Sequence, residues 1–127
     1  MRSIEIRSIP HHEHRYETVG DYFDDECGTH IIVSEMGNED YEFLVCLHEL
    51  IEQYLCRKRG IKEEDIVIFD KMFEKEREDG KWDKEEPGDD PRAPYRREHF
   101  VSTNIERMVA HEMGVDWSKY SDVVDAL

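Results

Sequence analysis

The chain has 127 residues, 38% hydrophobic and 39% charged, with a formal net charge of −15. That length supports one modest core, and the negative surface opposes nucleic-acid phosphates and anionic lipid; it reads first as a solubility feature, with attraction of a basic protein or peptide partner or imitation of nucleic acid as the alternatives. No apolar run approaches the ~18 residues of a membrane span and no basic-then-apolar leader opens the sequence, so the expectation is a single domain in the cytoplasm, off the membrane.

Residues 3–9 alternate polar and apolar, predicting a short strand closed by Pro10. The polar stretch from His11 to Cys27 predicts a loop with at most one short strand. Gly28 opens the β-branched run Thr29-His30-Ile31-Ile32-Val33-Ser34, the clearest strand of the chain, ended by a turn at Gly37-Asn38. A long helix follows from Asn38 or Glu39 to Arg59, with Gly60 as its C-cap. Acidic Glu39 and Asp40 start it and basic Arg57, Lys58 and Arg59 finish it, as the helix dipole favours. Its apolar residues, among them Phe43, Leu44, Leu47, Leu50, Ile51 and Tyr54, cover more than half the circumference and predict a central helix packed on several sides.

A second helix begins after Lys62 and buries Ile66, Phe69 and Phe73. It frays into a long charged loop over about 77–95, where Pro87-Gly88, Pro91 and Pro94 suggest a mobile loop or lid. A third helix runs from Tyr95 or Arg96 to Met113, stopped by Gly114, with Phe100, Val101, Ile105, Met108 and Val109 on its apolar face. The C-terminal stretch from Val115 packs back through Trp117, Tyr120, Val123, Val124 and Leu127. The three cysteines, Cys27, Cys46 and Cys56, are expected as reduced thiols. Cys46 and Cys56 stand roughly 15 Å apart along one helix, beyond disulfide reach.

Chemistry-bearing residues concentrate on the long helix. His48 and Glu52 are four apart and share a face, so an imidazole nitrogen and a carboxylate oxygen can hold one metal ion. Glu49 points about 100° round the helix, where it can serve as a general base instead of a ligand. Charged groups on so apolar a helix need a partner or a metal, because unpaired buried charge is costly. A third ligand must come from elsewhere: His99 at the start of the third helix is the first choice, with Asp70 or Glu106 as alternatives. This mixed nitrogen–oxygen set suits zinc, and also iron or manganese. The competing reading pairs His48 and Glu52 with Arg96, Arg97 or Arg107 in an inert polar network. His11, His12 and His14 read as an exposed loop, Cys46 and Cys56 as core thiols, Asp70 and Glu74 as a solvated or arginine-paired face, and residues 85–91 as a linker rather than a calcium loop.

A β-branched strand, a turn and a buried helix carrying His48-Glu49-Leu50-Ile51-Glu52 resemble the zincin metallopeptidases, whose active-site helix carries His-Glu-x-x-His behind an edge strand that binds extended peptide. The resemblance implies His48 as first zinc ligand, Glu49 as general base and residues 28–34 as the edge strand. Glu52 stands where that family has its second histidine. The sequence also resembles small proteins encoded by bacteriophages and prophages.

These readings predict an α+β fold with a zincin-like plan, a sheet of two to four strands packed against about three helices. The leading function is a metal-dependent hydrolase, a zincin-like peptidase of phage or prophage origin. His48, Glu52 and His99 would hold zinc and Glu49 would activate water. The rival, from another class, is a non-catalytic acidic protein that binds a host protein, with or without a structural metal.

Overall fold

The computed structural model describes residues 2–127 and has an α+β fold, with a three-stranded mixed sheet and four α-helices. The strands are β1 (Ile4–Ile9), β2 (Gly20–Asp25) and β3 (Gly28–Ser34), in the order β1-β3-β2. β1 runs parallel to β3 and β2 antiparallel to it, with Ile6 opposite Ile31 and Tyr22 opposite Ile31 on the other side. The short strand allowed within the polar N-terminal stretch is β2. Gly28 turns the chain between β2 and β3 at φ +132, and a Cβ there would fall 2.3 Å from the Ser3 carbonyl oxygen.

β3 is therefore the middle strand, and the expectation that residues 28–34 form an edge strand is overturned. Its β-branched residues are buried because β1 and β2 cover both flanks, which is why the run reads so clearly as strand. The exposed edge beside the helices belongs to β2, and side chains close it. Thr18 Oγ1 donates to the Gly20 carbonyl at 2.6 Å, Arg15 donates to the Tyr22 carbonyl at 3.4 Å, and the Asp24 amide donates to Glu63 at 3.4 Å.

The helices are α1 (Glu39–Arg59), α2 (Glu63–Glu78), α3 (Arg96–Glu112) and α4 (Trp117–Asp125). Asn38 caps α1 by accepting from the Tyr41 amide, and Gly60 ends it in the left-handed region at φ +77, as the sequence predicts. The C-terminal stretch is a fourth helix, beyond the three expected, with Asp116 accepting from the Lys119 amide as its cap. Tyr120 is buried in it and Trp117 and Val124 pack on the core, whereas Val123 and Leu127 face outward. Ile31 and Val33 of β3, Leu44 of α1, Phe69 and Phe73 of α2 and Ala110 of α3 form one apolar cluster.

α1 and α3 lie side by side and antiparallel, since Arg59 meets Glu98 at one end while Glu52 meets His99 and His48 meets Glu106 further along. Their burial departs from the apolar expectation. On α3 the buried residues are Glu98, His99, Ser102, Glu106 and Ala110, while Phe100 and Met108 are 68% and 69% exposed. On α1 Phe43 and Tyr54 are also exposed, so the helix is open on one side. The pair is thus built polar side inward, which is tolerable because the inward charges satisfy one another.

The connector expected to be a mobile lid is pinned. Arg77 donates to the carbonyls of Asp83 and Glu85. Arg92 bridges Glu76 at 2.7 Å and Asp90 at 2.8 Å, and Trp82 stacks on Phe73 at 5.1 Å. Among the described residues no helix is long and apolar enough to cross a membrane.

Candidate metal centre

Three side chains from two helices converge on one point. The i, i+4 spacing on α1 brings His48 Nε2 to 2.9 Å from Glu52 Oε2, and α3 delivers His99 Nδ1 to 3.0 Å from the same oxygen. The two ring nitrogens are 3.2 Å apart. Ligand atoms at about 2.0–2.1 Å from a tetrahedral zinc lie about 3.3 Å from each other, so these three donors stand close to the spacing a metal requires. All three residues are buried.

The remaining polar atoms of each residue are held from behind. His48 Nδ1 meets Glu106 Oε1 at 2.7 Å, and Tyr120 donates to the other Glu106 oxygen at 2.5 Å. His99 Nε2 meets Glu86 Oε2 at 2.9 Å, and Tyr22 donates to Glu52 Oε1 at 2.8 Å. Carboxylates behind ligand imidazoles fix the ring orientation and raise ligand basicity, and here both histidines have one. Gly88 lets the connector cross His99 closely, because a Cβ there would sit 2.3 Å from the ring.

The electrostatics follow from this packing. Burial disfavours a charged His48, yet Glu106 and Glu52 hold its pKa well above the usual imidazole range. Against the same burial, Glu52 and Glu86 raise His99 to about 10. Burial works against the Glu52 anion, but the two imidazoles pull its pKa to about 2. Glu49 behaves oppositely. Burial and the neighbouring Glu52 charge raise it well above the carboxylate range, with His48 pulling the other way. Its chain lies against β2, where a Cβ on Gly20 would fall 2.7 Å from Glu49 Cγ.

A cavity of about 300 Å³ opens on the cluster, lined by Tyr22, His48, Glu49, Glu52, Asp70 and His99 among others. Neither alternative third ligand reaches the point where the donors meet. Glu106 stands behind His48, and Asp70 is occupied by the hydroxyls of Tyr16 at 3.1 Å and Tyr95 at 2.5 Å. Asp70 is buried rather than on a solvated face, whereas Glu74 pairs with Arg77 as expected.

The predicted arginine network does not form. Arg96, Arg97 and Arg107 are exposed, Arg107 lies over Trp117, and the counter-charges to Glu52 and Glu106 are imidazoles. Of the N-terminal histidines only His12 is fully exposed. His11 Nδ1 and His14 Nε2 both reach the Ser34 hydroxyl, at 2.9 and 2.8 Å. The three thiols are free, with Cys56 buried, Cys46 partly so and Cys27 exposed.

The three donors were legible in the sequence, as was the nearness of Glu106 and Asp70, but Tyr22, Tyr120 and Glu86 were not. Tyr22 and Tyr120 carried no spacing signal, and Glu86 was absorbed into a run of charge. The only clue to Glu86 was the adjacent Pro87-Gly88, a place where backbone can pass close to a ring. Searches against protein-family models, curated proteins and solved structures find no match to this chain.

Proposed function

We propose that the chain is a metal-dependent hydrolase acting on peptide bonds, with His48, Glu52 and His99 holding a divalent ion and Glu49 serving as the acid–base group. The observation that carries this reading is the triangle of two ring nitrogens and one carboxylate oxygen, with sides of 2.9, 3.0 and 3.2 Å. Two histidines and one glutamate are also the donor set of zinc peptidases. The glutamate here comes from the α1 motif and the second histidine from α3, so Glu52 in place of the motif's second histidine leaves the donor chemistry intact.

A bound divalent ion supplies Lewis acidity toward a carbonyl and makes water more acidic. Glu49 lines the same cavity, and the strongest influences on its carboxyl are burial and nearby charge rather than a hydrogen bond. It is thus free to accept a proton from water as the oxygen attacks the carbonyl carbon. It then passes that proton to the amine as the carbon–nitrogen bond breaks. Positive charge at the triangle lowers its pKa toward the ionised form such a base needs. This free carboxyl favours hydrolysis over the oxygen chemistry that two histidines and a carboxylate also support with iron.

A second reading is favoured by one specific observation: every ring nitrogen of His48 and His99 lies within 3.0 Å of a carboxylate oxygen. In that case the cluster is a self-neutralised support for a non-catalytic acidic binding protein. Purified Glu49→Gln separates the two. It should keep metal and melting temperature and lose hydrolysis of a peptide library that wild type cleaves. A wild type that cleaves nothing when loaded with zinc, iron or manganese would favour the second reading.

A further inference from the structure

The outer side of the α1–α3 pair is as unusual as its inner side. Along α1 the outward stripe reads Asp40, Phe43, Leu47, Tyr54 and Lys58, spaced so that all lie within about 60° of one another. Phe43 and Tyr54 are 49% and 47% exposed. Along α3 the matching stripe reads Arg97, Val101, Ile105, Met108 and Glu112, with Val101 and Met108 exposed. The helices are antiparallel, so the two stripes join into one apolar strip with a charged pole at each end. Leu55, Lys58, Arg59, Arg97, Glu98 and Val101 line one shallow hollow; Arg59 and Glu98 pair with each other, which leaves Lys58 and Arg97 as the basic pole. Asp40 and Glu112 form the acidic pole at the opposite ends of their helices, and all four of these charged residues are exposed.

We propose that this strip joins two copies of the chain across a two-fold axis, closing a four-helix layer. The charge order selects the occupant. A two-fold axis through the middle of the strip sets the Lys58 and Arg97 pole of one copy against the Asp40 and Glu112 pole of the other, so the face is complementary to itself. A basic partner would meet the wrong charge at one end, and an acidic partner at the other. Much of the acidic excess of the chain sits on α2 and the connector, outside this face. A strip about 27 Å long and two helices wide offers on the order of 500–600 Å² per copy. That is at the small end of specific interfaces, so the dimer is reversible. The inference does not depend on the metal centre, since none of its residues belongs to that cluster.

Sedimentation velocity of the full chain over a concentration series tests it. Wild type should show a reversible monomer–dimer equilibrium. Met108→Glu, at an exposed position that leaves the fold intact by circular dichroism, should weaken association roughly 30-fold or more. Lys58→Glu and Asp40→Lys should each weaken it, and the double variant, in which the swapped charges face each other across the axis, should recover most of the loss. A wild type monomeric throughout the series overturns the proposal, as does a dimer indifferent to Met108→Glu. Failure of the double variant to recover overturns the two-fold arrangement.

Discussion

Glu52 and Asp70 are both buried carboxylates on the wall of one cavity, and their surroundings drive them apart. Glu52 meets two imidazoles, at 2.9 and 3.0 Å, which overcome its burial and hold its pKa near 2. Asp70 meets two phenols, at 3.1 and 2.5 Å, which only partly offset its burial, and it is pushed up to about 7. A phenol offers a neutral hydrogen bond, whereas an imidazolium adds a full charge in a medium of low dielectric. Glu52 is therefore an anion across the physiological range and suited to share a cation. Asp70 exchanges its proton near neutrality and is not a ligand in waiting.

Glu52→Gln is the hardest test of that contrast. It removes the anion between two imidazoles 3.2 Å apart, and breaking such a buried pairing costs about 3–5 kcal/mol. Urea unfolding in the presence of chelator isolates this loss from any metal effect, and a loss below about 1 kcal/mol would mean the imidazoles do not depend on Glu52.

Asp70→Asn should show itself through pH. A folded pKa of about 7, raised from the carboxylate range, contributes stability that is fully present below the unfolded pKa. That stability is lost as pH rises through about 7. Wild type should lose a few kcal/mol from this group between pH ~4 and ~8, and Asp70→Asn should flatten that part of the curve. Identical pH profiles would show that Asp70 ionises normally.

Gly88→Ala pushes a methyl group into the His99 ring and should cost about 1–3 kcal/mol, read as a lower urea midpoint. The smallest effect expected is that of Tyr95→Phe, about 1–2 kcal/mol, because Asp70 keeps its bond to Tyr16. If Tyr95→Phe proves as costly as Glu52→Gln, the two carboxylates are not held as differently as their partners indicate.

The same contrast explains what could be read from the sequence. β3 was legible as a β-branched run and α1 and α2 through the helical spacing of their apolar residues, and Asn38 and Gly60 mark the ends of α1. His48, Glu49 and Glu52 stood out because charge on an apolar helix has to be explained. His99 was reachable as the nearest histidine on another helix. Asp70 was misjudged because burial by Tyr16 and Tyr95, residues 54 and 25 positions away, leaves no local trace. Phe100 and Met108 were assigned inward since apolar residues ordinarily are, and only the mutual satisfaction of Glu98, His99 and Glu106 with α1 reverses that face. β3 as an edge strand failed because register against β1 and β2 depends on pairing across the chain.

Metal binding by His48, Glu52 and His99 is the proposal on which the function rests. Elemental analysis of protein expressed with metal supplied, joined to melting curves with and without chelator, decides it. Near-stoichiometric metal is expected in wild type, with a melting temperature that falls on chelation and a Glu52→Gln variant that neither retains metal nor responds to chelator. A wild type that carries no metal and melts identically with and without chelator would contradict it.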